Sequence, residues 1–199
     1  MDNNNKQNRY TKETMMEAAI QITNEKGYDN VTVDQICEEL GVTKGSFYHH
    51  FKSKSDLIFQ RYKLFEGQYS DYYNKRIHLP AEQQLREMFD LYVTSFDDAS
   101  FNETQMILQF SIERKWKNFG TNNTFQKDIM TNIIRRGVAE KVFRKELDPV
   151  ETTEFIFNNY YGALIQWIGN PEKFKFGENF NHFYEAYLIP LLLINPDKQ

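Results

Sequence analysis

The stretch VTVDQICEELGVTKGSFYHHF, Val31 to Phe51, reads as two short helices around one glycine. Thr32 followed by Gln35 three residues on is a capping box, so a helix begins there. Its apolar stripe is Val33, Ile36, Cys37 and Leu40. Gly41 follows at once, where a left-handed residue ends a helix. Val42 is apolar, and Thr43 is placed to cap the next helix.

Projected at helical spacing, the second half separates into faces. Phe47 and Phe51 share one face as i and i+4. Gly45 and His49 fall opposite. Lys44 with Tyr48, and Ser46 with His50, lie on the two flanks. The phenylalanines anchor the helix and the remaining side chains point outward. A glycine among them permits close backbone approach.

Other readings of this stretch are poorer. Adjacent His49 and His50 diverge by about 100° on a helix, whereas metal-binding helices use i, i+4 spacing. His78 and His182 lie in separate segments, so no metal site is expected. No nucleophile elbow, phosphate loop or dinucleotide fingerprint appears, so an enzyme is not expected either. The bland reading is a capped helix with solvated histidines. Charge argues against it. Leu40 to Ser55 holds no acidic residue but contains Lys44, Lys52 and Lys54, although residues 1–57 carry seven Lys/Arg against nine Asp/Glu. Positive charge is thus focused on one helix and the start of the next. Two helices joined by a short turn, with polar groups outward, form a helix-turn-helix, and flanking lysines suit phosphates.

Composition sets the frame. The 199 residues include 40% apolar and 26% charged residues, which supports a folded core. Net charge is −4, against indiscriminate coating of nucleic acid. The single cysteine, Cys37, lies on an apolar stripe and reads as core. No window is long and apolar enough for a membrane span, and residues 1–10 lack a secretory apolar region. The cytoplasm is the expected compartment. That Asn-rich segment reads as a disordered arm, where Lys6 and Arg9 are candidates for added DNA contacts.

Helical periodicity recurs to the end: Thr11–Lys26, Lys54–Ile77, Ala81–Asp97, Asn102–Phe119, Thr124–Phe143, Asp148–Ile168, and a last helix carrying Phe180, Phe183, Tyr184, Tyr187 and Leu191. The chain is expected to be all-α, with about nine helices. A border near Leu57 separates an N-terminal helix-turn-helix domain, 1–57, from a larger helical domain, 58–199.

Residues Thr11 to Leu57 resemble the DNA-binding domain of the tetracycline-repressor (TetR) family of bacterial transcription regulators, with Val31 to Ile58 as the matching stretch. Gly41-Val42, Lys44-Gly45, Phe47-Tyr48, His50-Phe51 and Lys54 carry the resemblance. GVAEKVFRKELDP, Gly137 to Pro149, and GALIQWIGNPE, Gly162 to Glu172, are similar to that family too. The resemblance implies a homodimer that places one recognition helix per half-site of a palindromic double-stranded operator. It also implies a C-terminal domain that binds a small-molecule effector, with no cofactor. By position, Thr32, Thr43, Tyr48, His50 and Lys54 would hold phosphates. Lys44, Gly45, Ser46 and His49 would face bases or nearby backbone, and Lys52 is a further phosphate candidate.

The family builds its dimer from the last two long helices, which makes Tyr161, Leu164, Ile168, Phe183, Tyr187 and Leu191 the interface candidates. An aromatic interior suits an apolar or planar effector. Tyr92, Phe96, Met106, Phe110, Trp116, Tyr160 and Trp167 are candidate pocket residues, each also readable as core. The function implied is a ligand-responsive repressor. The alternative is a helical ligand-binding or interaction protein whose helix-turn-helix is only structural.

Overall fold

The computed structural model describes residues 10–96, 101–114 and 124–194, and the side chains of all of these except 109–114 and 124. The Asn-rich arm with Lys6 and Arg9, and Trp116, lie outside the described residues. The side chain of Phe110 is likewise outside them.

Among the described residues the chain is all-α. The helices are α1 (Lys12–Lys26), α2 (Val33–Leu40), α3 (Lys44–His50), α4 (Lys54–Asn74), α5 (Ala81–Thr94), α6 (Phe101–Arg114), α7 (Thr124–Ala139), α8 (Pro149–Gly169), α9 (Phe176–Phe183) and α10 (Ile189–Leu192). A 3₁₀ turn, Tyr28–Asn30, joins α1 to α2, and a π-helical turn, Tyr184–Leu188, joins α9 to α10. One isolated antiparallel bridge pairs Phe143 with Leu193.

Local chemistry sets the boundaries. The Thr32 hydroxyl accepts from the Gln35 amide at 3.2 Å, while the Gln35 side chain accepts from the Thr32 amide at 2.8 Å. Two otherwise orphaned donors are satisfied together. Gly41 ends α2 at φ 64°, ψ 35°, a left-handed conformation that glycine adopts without strain. Asp148 opens α8 by accepting from the amides of Val150 and Glu151 at 2.8 and 2.9 Å, with Pro149 in the first helical turn.

The chain divides into two compact units. The first comprises the described part of Met1–Phe65 with Asn102–Phe110. The second comprises Glu66–Phe101 with the described part of Ser111–Gln199. The division thus falls after Phe65, where the sequence suggested Leu57, and α4 starts in one unit and ends in the other. In the first unit, α2 packs against both α1 and α3. Met15, Ala19, Ile36, Phe47, Phe51 and Leu57 are among its fully buried side chains. In the second unit, α7 packs on α5 and α8, and α9 packs on α5 and α8, so the four helices close a ring.

Two of the departures from the expected helix ends change what is buried. The apolar spacing continues α7 to Phe143, but the helix stops at Ala139. The amides of Val142 and Phe143 both donate to the Gly137 carbonyl at 3.0 Å, and Lys141 takes φ 60°. The turn folds the Phe143 ring back over Gly137. In the last helix the expected stripe placed Tyr187 and Leu191 with Phe180, Phe183 and Tyr184. The π turn inserts one residue, so Leu188 and Leu192 are fully buried while Tyr187 is 60% and Leu191 40% exposed.

A β-carbon at Gly137 would lie 1.9 Å from the ring of Phe143, which is itself 1% exposed and has nowhere to move. Gly137→Ala is therefore expected to cost about 1–3 kcal/mol in urea unfolding. Gly67→Ala, where the added carbon meets nothing within 4 Å, should stabilise by up to about 1 kcal/mol. Equal midpoints for the two variants would contradict this packing.

Candidate nucleic-acid interface

The recognition element is built around two rings. Phe47 and Phe51 are 0% and 1% exposed, with centroids 5.4 Å apart. Each buried phenylalanine contributes about 1.5–3 kcal/mol of apolar transfer. Phe51 lies just past the helix in extended backbone, its amide still donating to the Phe47 carbonyl at 2.9 Å. With that face committed, Lys44, Gly45, Tyr48 and His49 are exposed, and Ser46 and His50 are half-buried. Tyr48 stands edge-on to Phe47 at 5.6 Å and is 53% exposed, a large ring held out in solvent.

Thr43 caps α3 by accepting from the Ser46 amide at 3.1 Å. Thr32 and Thr43 are both exposed, so the capping hydroxyls line the same unit's surface as the outward residues of α3. The adjacent imidazoles meet edge to face at 72°, with centroids 5.0 Å apart. Lys52 is exposed on the turn after α3. The backbone there is held by the Lys52 amide, which donates to Asp56 at 2.8 Å, and by Ser53, which accepts from the Asp56 amide at 3.0 Å.

Two cations have partners that the sequence did not reveal. Lys44 is paired with Asp34 of α2 at 2.8 Å, both well exposed. The hydrogen bond and adjacent charge of Asp34 hold the Lys44 ammonium above its usual pKa. Lys54 turns inward. Its ammonium donates to the carbonyls of Tyr28 at 2.5 Å and Val31 at 2.6 Å, and lies 3.9 Å from the Tyr28 ring centre. Neither pairing follows from helical periodicity, since the partners lie 10 and 23 to 26 residues away. Cys37 is buried, and burial pushes its thiol pKa up, which suits core packing and not a reactive thiolate.

The other sequence candidates lie elsewhere. Tyr92, Phe96, Tyr160 and Trp167 come together in the second unit. Tyr92 to Tyr160 is 5.3 Å, Phe96 to Tyr160 5.8 Å and Phe96 to Trp167 6.3 Å. Met106 is buried on the part of α6 that belongs to the first unit. Of the interface candidates, Leu164 and Phe183 are buried in their own chain, Tyr161 and Ile168 are half-buried, and Tyr187 and Leu191 are exposed. Sequence reasoning missed Phe155 and Ile165, which are 43% and 57% exposed. With Asn158 and Gly162 between them they form a second stripe along α8, offset from the buried one.

Residues 15–60 match the family model for bacterial regulatory proteins of the tetR family. This segment is therefore a DNA-binding domain of the tetR type. The similarity extends beyond the domain. The HTH-type transcriptional repressor KstR2 of Mycolicibacterium smegmatis is 24% identical over 162 residues, covering 78% of each chain. The fatty acid metabolism regulator protein of Bacillus subtilis is 21% identical over 166 residues, 80% of this chain and 84% of that one. The structure of FadR from Bacillus subtilis in complex with stearoyl-CoA superposes with a TM-score of 0.65 at 22% identity, covering 86% of this chain and 95% of that one. The fold is therefore that of TetR-type regulators, and the helix-turn-helix lies in the segment the family model matches.

Asp34 neutralises a lysine on the exposed side of α3 and would itself repel phosphate. Asp34→Asn is expected to raise affinity for any duplex DNA by about two- to five-fold at low salt, less at high salt. Fluorescence anisotropy with an arbitrary 30-base-pair probe measures it; an unchanged or lower affinity would show that the pair does not restrain Lys44.

Proposed function

We propose that this protein is a ligand-responsive, sequence-specific DNA-binding transcriptional regulator, acting as a repressor that an effector releases from a palindromic operator. The observation that carries this reading is the segregation of α3. Phe47 and Phe51 are buried, while Lys44, Gly45, Tyr48 and His49 face solvent. Lys44, Gly45, Ser46 and His49 would meet base edges or nearby backbone, and Thr32, Thr43, Tyr48, His50 and Lys52 would hold phosphates. Net charge of −4 leaves such contacts local, which favours selective binding over coating.

The working form is a homodimer. Two recognition helices must reach successive major-groove faces about 34–36 Å apart. The stripe of exposed Phe155, half-buried Gly162 and exposed Ile165 on α8, with Tyr187 in the π turn and Leu191 beyond it, supplies the apolar face for a partner chain. Leu164 and Phe183 then serve the protomer's own core.

The effector is a small molecule of apolar or aromatic character, received by the aromatic interior of the second unit around Phe96, Tyr160 and Trp167. A related regulator crystallised with stearoyl-CoA supports an apolar ligand. Because α4 runs from the first unit into the second, an effector that favours one position of this helix biases the spacing of the recognition helices. No helix among the described residues is long and apolar enough to cross a membrane, which supports action in the cytoplasm.

Selection of bound duplexes from a random pool is expected to return a two-fold symmetric consensus. Ser46→Ala and His49→Ala should alter base preference within each half-site, typically by about 1–3 kcal/mol per base pair. Recovery of no enriched sequence would overturn the reading and favour a structural helix-turn-helix. Ile165→Glu is expected to convert the dimer to monomer in light scattering and to abolish symmetric binding. A dimer that survives this change would place the interface elsewhere.

A further inference from the structure

We propose that Lys54 is a positioning residue that fixes the start of α2, and not a direct phosphate contact. The inference rests on the DNA-binding reading only for its functional consequence. Lys54 is the first residue of α4 and half-buried. An ammonium has three N–H donors. Two of these meet the carbonyls of Tyr28 and Val31 at 2.5 and 2.6 Å, and the charge lies 3.9 Å from the Tyr28 ring centre. These carbonyls belong to the 3₁₀ turn and to the residue that closes it. Cations near a helix C-terminus satisfy its orphan carbonyls and oppose its negative pole. Charge-assisted bonds are the stronger kind, and a phosphate would have to displace both.

The location matters more than the bond count. Val31 is 1% exposed, and the next residue, Thr32, caps α2. The backbone that Lys54 grips is therefore the backbone that presents Thr32. On the other side, Lys54 follows the Lys52–Ser53 turn that leaves α3, and Asp56 ties that turn to the first turn of α4. One side chain thus links the entry to α2 with the first residue of α4, just after the turn that leaves α3. Lys52, exposed on the same turn, is the residue placed to meet phosphate instead.

The distinction is measurable because a direct phosphate contact sets salt dependence. Each neutralised phosphate contributes about 0.9 to the slope of log affinity against log salt. Binding of the full chain to a duplex recovered by random-pool selection is measured across salt concentrations. Lys52→Gln is expected to flatten the slope by about 0.9. Lys54→Met is expected to lower affinity by about tenfold with a slope parallel to wild type. Amide exchange at Val31 to Ile36 should quicken in the same variant. Tyr28→Leu alters no charge and provides the second test: it should weaken binding in parallel and quicken the same amides.

A slope flattened by Lys54→Met, whatever the exchange rates, overturns the proposal in favour of a phosphate contact. Wild-type affinity with unchanged exchange overturns it as well. If Lys54→Met does not fold, Tyr28→Leu decides on the same two readouts. If the wild-type chain binds no duplex, the DNA-binding reading fails, and amide exchange at Val31 to Ile36 alone decides the positioning role.

Discussion

The burial of Phe47 and Phe51 is the constraint on which the rest depends. Two rings four residues apart, both without solvent contact, fix the rotation of α3 about its axis. Once that rotation is set, the exposed positions are no longer a matter of choice. Lys44, Tyr48 and His49 must face outward, and Gly45 leaves the backbone accessible between them. Gly41 supplies the other half of the constraint. Its left-handed conformation reverses the chain within one residue and lets Thr43 cap α3 at once. A residue with a β-carbon at that φ would meet backbone strain of about 1–2 kcal/mol.

Electrostatics refine this surface without creating it. The chain is acidic overall, so affinity for DNA must come from focused charge. The focus is itself moderated. Asp34 shares Lys44, and Lys54 is withdrawn into the fold by carbonyls and a ring. Lysines that look equivalent in sequence thus do three different things: one is restrained at the surface, one braces the turn, and Lys52 stands exposed. A recognition surface with restrained cations binds random DNA less tightly and leaves discrimination to the base-facing residues.

Much of the fold was legible from local signals. The Thr32–Gln35 box, the Gly41 stop, the Thr43 cap and the Asp148-Pro149 start are each written in a few adjacent residues. The division of α3 into anchored and outward faces was legible because helical period alone dictates it. What escaped notice depends on distant partners or on broken periodicity. The inward turn of Lys54 requires carbonyls from Tyr28 and Val31. The first unit also takes in α6 residues from far along the chain, which no local signal announces. The single residue inserted at Tyr184–Leu188 moved the buried stripe from Tyr187 and Leu191 to Leu188 and Leu192. On α8 a buried stripe of Phe157, Tyr160, Leu164 and Trp167 concealed a second, exposed one through Phe155 and Ile165. Both stripes obey the same period, and only burial separates core from candidate interface.

The central claim is that α3 and the entry to α2 meet DNA. Amide hydrogen exchange of the full chain, with and without the selected duplex, addresses it directly. Protection concentrated at Thr32 to Gln35 and at Gly41 to Lys52 is the expected result. A stable complex that leaves Gly41 to Lys52 exchanging at the rate of the unbound protein would contradict it.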